Sequence, residues 1–156
     1  MITPAQLREL RRLYDVAFAI GQPILDAGAT GGIQPVQKII ADSNLKNNDE
    51  FVPGANQPVV MFYHQHVTST RNTSGPSALE FSFENVYVRI LWPIGEDVDR
   101  AEDAMYAMID QTFRSSVSPL FDFEAAPSFR EGRRDGSHWR IDAVVPVVAC
   151  NTRNIA

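Results

Sequence analysis

The stretch Val59-Val60-Met61-Phe62-Tyr63-His64-Gln65-His66-Val67 decides the fold, because it strongly favours a β-strand and divides into two contrasting halves. Its first half is apolar at every position, whereas its second half is polar. This pattern predicts a strand that begins in the core of the domain and runs out toward solvent. The polar segment 68–77, which contains Gly75 and Pro76, is then the tip of a hairpin.

The return strand of this hairpin changes the phase of its apolar residues once. The change falls near Glu84-Asn85, and it predicts either a β-bulge or a passage from one packing environment to another. The hairpin is therefore predicted to span about residues 59–92, with a far end that carries apolar side chains beyond the core of the domain. Two apolar sets of opposite parity follow each other along the return strand: Leu79, Phe81 and Phe83, then Val86, Val88, Ile90 and Trp92.

The N-terminal segment is predicted to be an amphipathic helix that covers the sheet. Thr3 and Gln6 have the spacing of a capping box, and Pro4 suits the first helical position. Leucine, tyrosine and alanine residues then recur at helical spacing. Gly21 and Pro23 are expected to end or kink this helix.

A second amphipathic helix and a closing pair of strands follow the hairpin. Asp97 or Asp99 can cap the helix, whose N-terminal dipole favours acidic residues. Asp135-Gly136 is a good hairpin signal before the closing strand Trp139–Cys150. Pro146 is expected to place the far part of that strand at an edge or a bulge, because proline cannot donate a ladder hydrogen bond.

Length and composition fit one α+β domain that covers residues 1–156. The chain is 44% hydrophobic, enough for a core. We expect a largely antiparallel sheet with a long bulged hairpin, packed against two main amphipathic helices. Segment 26–58 is an irregular insertion in which 34–41 forms a short helix or a strand. Such a long, weakly structured stretch indicates that something else organises it, such as a neighbouring subunit.

Charge and cysteine content restrict the class of partner. The net charge of −5 argues against specific nucleic-acid binding, since that affinity comes mainly from phosphate neutralisation. The single cysteine excludes an internal disulfide and fits a reducing compartment. No stretch approaches the roughly 20 apolar residues that cross a bilayer, and the N-terminus lacks the layout of a signal peptide. These features predict a protein made and folded in the cytoplasm, without membrane association.

The candidates for chemistry are few. His64 and His66 lie two apart on a strand, so they share one face, but a metal site needs a third ligand that the sequence does not supply. We expect two histidines that face solvent or an interface. The carboxylates of segment 96–103 are explained by helix capping and solubility. The sequence therefore predicts no enzyme, no metal site and no cofactor.

The order of the elements resembles that of tail-terminator (tail-completion) proteins of long-tailed bacteriophages. The resemblance rests on the strand Phe83-Glu84-Asn85-Val86-Tyr87-Val88-Arg89-Ile90-Leu91-Trp92-Pro93, the acidic-headed helix Asp97–Arg114 and the closing strand Trp139–Cys150. It covers about residues 55–150. It implies a homo-oligomer, a hexameric ring that caps the tail tube and contacts the neck and head-closure proteins. It also implies a virion protein of the tail or neck, assembled in the host cytoplasm, with no cofactor and no reaction.

The resemblance also implies which residues form contacts. The hairpin would cross to a neighbouring subunit, in the head-to-tail manner that closes rings. An acidic channel lining would let DNA pass in passive contact. The candidate subunit-interface residues are Leu79, Phe81, Phe83, His64, His66, Arg130, Arg133 and Arg134. The candidate channel-lining residues are Glu96, Asp97, Asp99, Glu102 and Asp103.

Two alternatives remain at this point. The insertion 26–58 departs from the simplest pattern of the family, which leaves another neck component, a head-closure or connector subunit, as the first alternative. The second is a small ligand-binding or enzymatic α+β domain whose hairpin encloses a ligand. Polar groups that converge in an apolar pocket would be expected in that case.

Overall fold

One mixed sheet carries both helices on a single face. The computed structural model describes residues 2–27, 34–41, 53–72, 77–95, 97–114, 121–123, 128–129 and 133–154. The helices are α1 (Pro4–Ala27) and α2 (Val98–Met108), which continues into a π-helical segment (Ile109–Arg114). The strands are β1 (Gln37–Ile40), β2 (Val59–Asn72), β3 (Ser77–Pro93), β4 (Phe121–Phe123), β5 (Ser128–Phe129), β6 (Arg133–Asp135) and β7 (His138–Asn154).

The strand order is β1-β2-β3-β7-β4, and β5 and β6 also pair with β7. Strand β1 runs parallel to β2, and every other described pairing is antiparallel. The predicted α+β class with a largely antiparallel sheet and two main helices is therefore confirmed. Part of the insertion 26–58 is a strand, since β1 lies within it. None of the described helices is long and apolar enough to cross a membrane.

Helix α1 begins with the predicted capping box. The Gln6 backbone N–H donates to Thr3 Oγ1 at 3.2 Å, and the Thr3 backbone N–H donates to Gln6 Oε1 at 2.8 Å. These two bonds satisfy N–H groups that have no partner inside the helix. The start of α1 is thus fixed by local sequence alone.

The predicted end of α1 near Gly21 and Pro23 was wrong, because the helix runs on to Ala27. At Gly21 the helix lies close against α2: a Cβ atom there would stand 2.5 Å from Met108 Sδ. Pro23 is exposed, so the carbonyl that it leaves unpaired can be hydrated. Gly21 is therefore tolerated because the two helices pack closely there, and Pro23 is tolerated because solvent can replace the lost hydrogen bond.

Helix α2 is capped by Asp97, whose side chain accepts a hydrogen bond from the Asp99 backbone N–H at 3.0 Å. Its buried face is built from small and flexible residues, which let the helix lie close on the sheet. The main core lies between the two helices and this face of β2, β3 and β7. Its largest fully buried side chains include Trp92, Tyr14, Phe62, Phe113, Leu10, Leu13, Leu25 and Ile90.

The phase change in the return strand is not a break of register in β3, and the bulge of the hairpin lies in β2. His66 pairs with Glu84 and Thr68 pairs with Phe83, so Val67 is an extra residue that forms a bulge in β2. Strand β3 keeps an unbroken register with β7 from Ser77 to Pro93. Its even-numbered residues therefore stay on the helix-bearing face throughout. The apolar phase changes because three of these positions are polar and yet buried: Glu80, Ser82 and Glu84.

Pro146 was expected at an edge or a bulge of the closing strand. On one side of β7 it is opposite Asn85 of β3 without a register shift. On the other side, β5 pairs up to Val144 and β4 pairs from Val147 onward. Among the described residues Pro146 therefore lies at a local edge, where a residue without an N–H is accepted.

Arg89 is not a surface charge, although its position opposite the apolar set suggested one. It is 5% exposed, and its Nε donates to Asp142 Oδ1 at 2.8 Å across the β3–β7 pair. Arg140 Nε donates to the other oxygen of the same carboxylate at 3.0 Å. Buried guanidinium groups need such partners. The face of the sheet opposite the helices thus carries a charged cluster as well as the stacked pair Tyr63–Tyr87.

Candidate functional site

The outer half of the hairpin forms an arm of the sheet, defined here as residues 65–72 of β2 and 77–85 of β3. Pairing between β1 and β2 ends at Ile40 and Phe62, where the Ala41 N–H donates to Phe62 O at 2.9 Å. From Tyr63 onward, no strand in the described part of the chain pairs with the free edge of β2. Residues 65–70 are exposed. Among the described residues, the hairpin arm therefore has an open edge.

Apolar side chains of the hairpin arm are incompletely covered. Val67, the bulge residue, is 57% exposed. Phe81 and Phe83 are half-buried, and they lie on the face opposite the helices. Leu79 lies in β3 opposite Asn72, but its side chain is outside the described part of the structure. Three apolar residues of the hairpin arm, two of them predicted, are thus available in part for a contact.

The charged candidates are placed less completely. Asp97, Asp99, Glu102 and Asp103 are all exposed at the N-terminus and along the first turns of α2. Glu96 lies outside the described residues. The four described carboxylates form an acidic surface, and Asp97 also has the capping role given above.

The basic candidates are also only partly within the described residues. Arg133 and Arg134 lie in β6, opposite Arg140 and Trp139 of β7. The side chains of the two β6 arginines are outside the described part of the structure. Arg130 is also outside the described residues. The structure therefore gives the backbone position of two of these three arginines and nothing further about their contacts.

His64 and His66 share one face, as predicted, but that face is the one that carries the helices. His64 is buried at 9% exposure. His66 Nδ1 lies 3.2 Å from Glu84 Oε1, and its Nε2 lies 3.2 Å from Ser69 Oγ. Ser82 Oγ donates to Glu84 Oε1 at 3.1 Å. The two histidines therefore belong to a polar cluster at the base of the hairpin arm.

This polar cluster forms one wall of a pocket of about 330 Å³. The first turns of α1 and the end of β1 form the other walls. Among the described residues, no group of three His, Cys, Asp or Glu side chains is placed to hold a metal ion. The pocket is lined by Ile2, Thr3, Pro4, Leu7, Arg11, Tyr14, Ile40, Ala41, His64, His66 and Glu84.

Two buried polar atoms in the pocket wall lack hydrogen-bond partners among the described residues: Glu84 Oε2 and the Tyr14 hydroxyl. Glu84 is 2% exposed and Tyr14 is 1% exposed. A buried polar group left without a partner costs about 1–3 kcal/mol, and more when it is charged. Burial raises the pKa of the Tyr14 hydroxyl, and the negative charge of Glu84 raises it further. Tyr14 is therefore neutral and able to bond to a ligand.

The sequence did not indicate Tyr14, Ser82 or Glu84 as site residues. Tyr14 fits the apolar face of α1, where its ring stacks on Phe62 with centroids 5.2 Å apart. Ser82 and Glu84 alternate with phenylalanines and so resemble the solvent side of a strand. The available signal was their parity, since both continue the buried series that begins at Trp92 and runs back along β3.

The pocket predicts a specific pH dependence of stability. Burial lowers the pKa of the His64 imidazole; Glu84 opposes this shift and Arg11 adds to it. Above about pH 6.5 the imidazole is neutral in both the folded and the unfolded chain. As the pH falls below that value the unfolded chain takes up the proton first, so stability is lost until the pH reaches the folded-state pKa. His64→Gln should remove this part of the loss.

Urea unfolding of the wild type and of His64→Gln at about pH 7.5 and about pH 5.5 measures the effect. We expect the wild type to lose more stability than the variant between these two pH values. An equal loss in both proteins would contradict the role given to His64.

The sequence matches no model of a protein family, and no curated protein matches it. The fold and the two sites define an α+β domain with an open-edged hairpin arm and a polar pocket at its base. These two features are the basis for the proposals that follow.

Proposed function

We propose that the protein is a structural subunit of a bacteriophage virion, a tail terminator that forms a hexameric ring on the tail tube and joins it to the neck and head-closure proteins. The open edge of β2 along the hairpin arm is the observation that carries this proposal. No strand among the described residues pairs with this edge from Tyr63 to Asn72, and a row of unpaired N–H and C=O groups is a template for pairing with another chain. A neighbouring copy that adds a strand there satisfies these groups.

Ring closure follows from the geometry of such a contact. The edge of β2 on one copy would meet a different surface of the next copy, which makes the contact heterologous. Heterologous contacts repeat from copy to copy and close into a ring when the rotation permits. Val67, Phe81 and Phe83 would lose their remaining exposure in the contact, which adds apolar burial to the backbone pairing.

The acidic surface of α2 is compatible with a channel for DNA. Asp97, Asp99, Glu102 and Asp103 would present negative charge to the phosphate backbone and so prevent adhesion. The net charge of −5 acts in the same direction. A head-closure or connector subunit would use the same ring and the same repulsion, so the position in the neck distinguishes these structural roles.

Val67→Lys tests the proposed contact directly. A lysine at this exposed position on the open edge is expected to prevent strand addition, and so to convert rings into monomers that remain folded by circular dichroism. Tyr106→Lys is the matched control, because Tyr106 is exposed to a similar degree on α2, 56% against 57%. Size-exclusion chromatography with light scattering measures the mass. Rings that persist in Val67→Lys, or that are lost equally in Tyr106→Lys, would contradict the edge contact.

Negative-stain images test the location. The purified protein mixed with phage tail tubes is expected to appear as a ring at one end of each tube. Decoration along the whole tube, or no binding to tube ends, would count against a terminator. Rings at the head side of a neck complex would favour the head-closure or connector alternative.

A further inference from the structure

The pocket at the base of the hairpin arm contains a carboxylate that is only half used. Glu84 Oε1 accepts a hydrogen bond from Ser82 and lies 3.2 Å from His66 Nδ1, whereas Oε2 is buried and has no partner among the described residues. Tyr14 lines the same pocket, and its hydroxyl is buried without a partner in the same way. A folded protein satisfies nearly all of its buried polar atoms. Two such atoms on residues that line one cavity indicate a ligand that supplies the missing partner.

The polarity of the ligand follows from these atoms. A carboxylate oxygen only accepts hydrogen bonds, so the ligand must donate one. A charged donor makes the stronger bond to a carboxylate. The His64 imidazole, also in the wall, is held neutral by burial, so it does not cancel the charge of Glu84. Both arguments favour a cation over a neutral hydroxyl group.

The shape of the ligand follows from the partners already present. A guanidinium group pairs best with both oxygens of a carboxylate, but Oε1 of Glu84 is already engaged. An ammonium group is compact and carries three donors, which suits the single free oxygen together with the Tyr14 hydroxyl. Ile2, Leu7 and Ile40 supply apolar wall for an alkyl stem.

We propose that this pocket binds a primary alkylammonium group. The ammonium donates to Glu84 Oε2 and to the Tyr14 hydroxyl, and its stem packs on the apolar wall. The source is either a free amine or the lysine side chain of a polypeptide. The pocket is lined by side chains of one copy, so ligand binding does not require the ring proposed above.

The three histidines of the chain provide the readout. His64 and His66 line the pocket, whereas His138 lies elsewhere, with its Nε2 2.9 Å from Gln57 O. Titration with butylammonium, followed by NMR of the imidazole protons, is expected to shift the resonances of His64 and His66 in a saturable manner and to leave His138 unchanged. 1-Butanol and butyrate are the neutral and anionic probes of equal stem, and neither should saturate.

Variants that remove a negative or a positive charge from the pocket wall should change the affinity in opposite directions. Glu84→Gln keeps the shape and removes the charge, so it should weaken butylammonium binding about tenfold or more. Arg11→Gln removes the cation among the pocket-lining residues, and since Arg11 is exposed it should strengthen binding only about two- to fivefold. Glu102→Gln is the matched control, an exposed carboxylate on α2 that is absent from the lining, and should have no effect.

Three results would overturn the proposal: no saturable shift in the wild type, equal shifts of all three histidines, or saturation by 1-butanol or butyrate. If Glu84→Gln fails to fold, Tyr14→Phe replaces it, because this variant keeps the stacking ring and should still bind several-fold more weakly. Nα-acetyl-lysine methylamide then distinguishes the source. Binding as tight as that of butylammonium indicates a lysine side chain, and its exclusion indicates a free amine.

Discussion

Trp92→Ala is expected to lower the free energy of unfolding by about 3–5 kcal/mol. Trp92 is fully buried at the end of β3 and lies opposite Trp139 of β7. It is the largest residue in the core between the helices and the sheet, so its truncation removes a large apolar area and leaves a cavity. A domain of this size has about 5–15 kcal/mol of stability, so this loss would be a large fraction of the total. Urea unfolding followed by circular dichroism measures it.

Two controls separate the cavity from other effects. Trp92→Phe should lose far less, because it keeps most of the apolar volume and removes an indole N–H that has no partner among the described residues. Tyr106→Ala, at an exposed position of α2, should change the free energy of unfolding by no more than about 0.5 kcal/mol. A loss below about 1 kcal/mol for Trp92→Ala would mean that the core is not centred where the structure places it.

Shortening the hairpin arm is expected to abolish ring assembly while the fold is retained. Replacement of residues 67–83 by Asn-Gly joins His66 to Glu84, which are cross-strand partners, through a two-residue turn of a favoured type. The change removes residues 67–72 of the open edge together with Phe81 and Phe83, and it leaves the core between the helices and the sheet in place. The contact proposed between neighbouring copies would lose much of its length.

Analytical ultracentrifugation of the shortened protein should show monomers, and circular dichroism should show that these monomers remain folded. Tyr106→Ala in the full-length chain is the control, because it removes an exposed aromatic side chain outside the hairpin arm and should leave the rings intact. Rings formed by the shortened protein would contradict the role of the hairpin arm. Loss of the folded state would instead show that the outer part of the arm belongs to the core.

The sequence was sufficient to predict elements whose signals are local. The capping box of α1 depends on Thr3 and Gln6 alone, and the contrast within 59–67 marks where β2 leaves the core. The apolar phase change near Glu84 is visible in the sequence, but the burial of Glu80, Ser82 and Glu84 that causes it is not. The bulge of the hairpin lies at Val67 in β2. Register between strands is a non-local property, so one strand cannot show which of the two carries the extra residue.

The candidate site was harder to predict, because burial of polar residues depends on distant segments. Glu84 and Arg89 have the alternation of surface residues, yet both are buried. Arg89 is explained by Asp142, which lies 53 positions away and becomes its partner only when β3 and β7 pair. Likewise, a proline at position 23 predicts the end of a helix by local rules. The helix continues because Pro23 lies on its exposed side, which depends on how α1 packs on the sheet.

Ring assembly can be measured by sedimentation velocity of the wild-type protein across a concentration series, with and without tail tubes. We expect a closed species of about six times the 17.4 kDa mass of the chain, which persists on dilution and binds tube ends. A single 17.4 kDa species at every concentration, including in the presence of tail tubes, would contradict the claim that the open edge of β2 is an assembly contact.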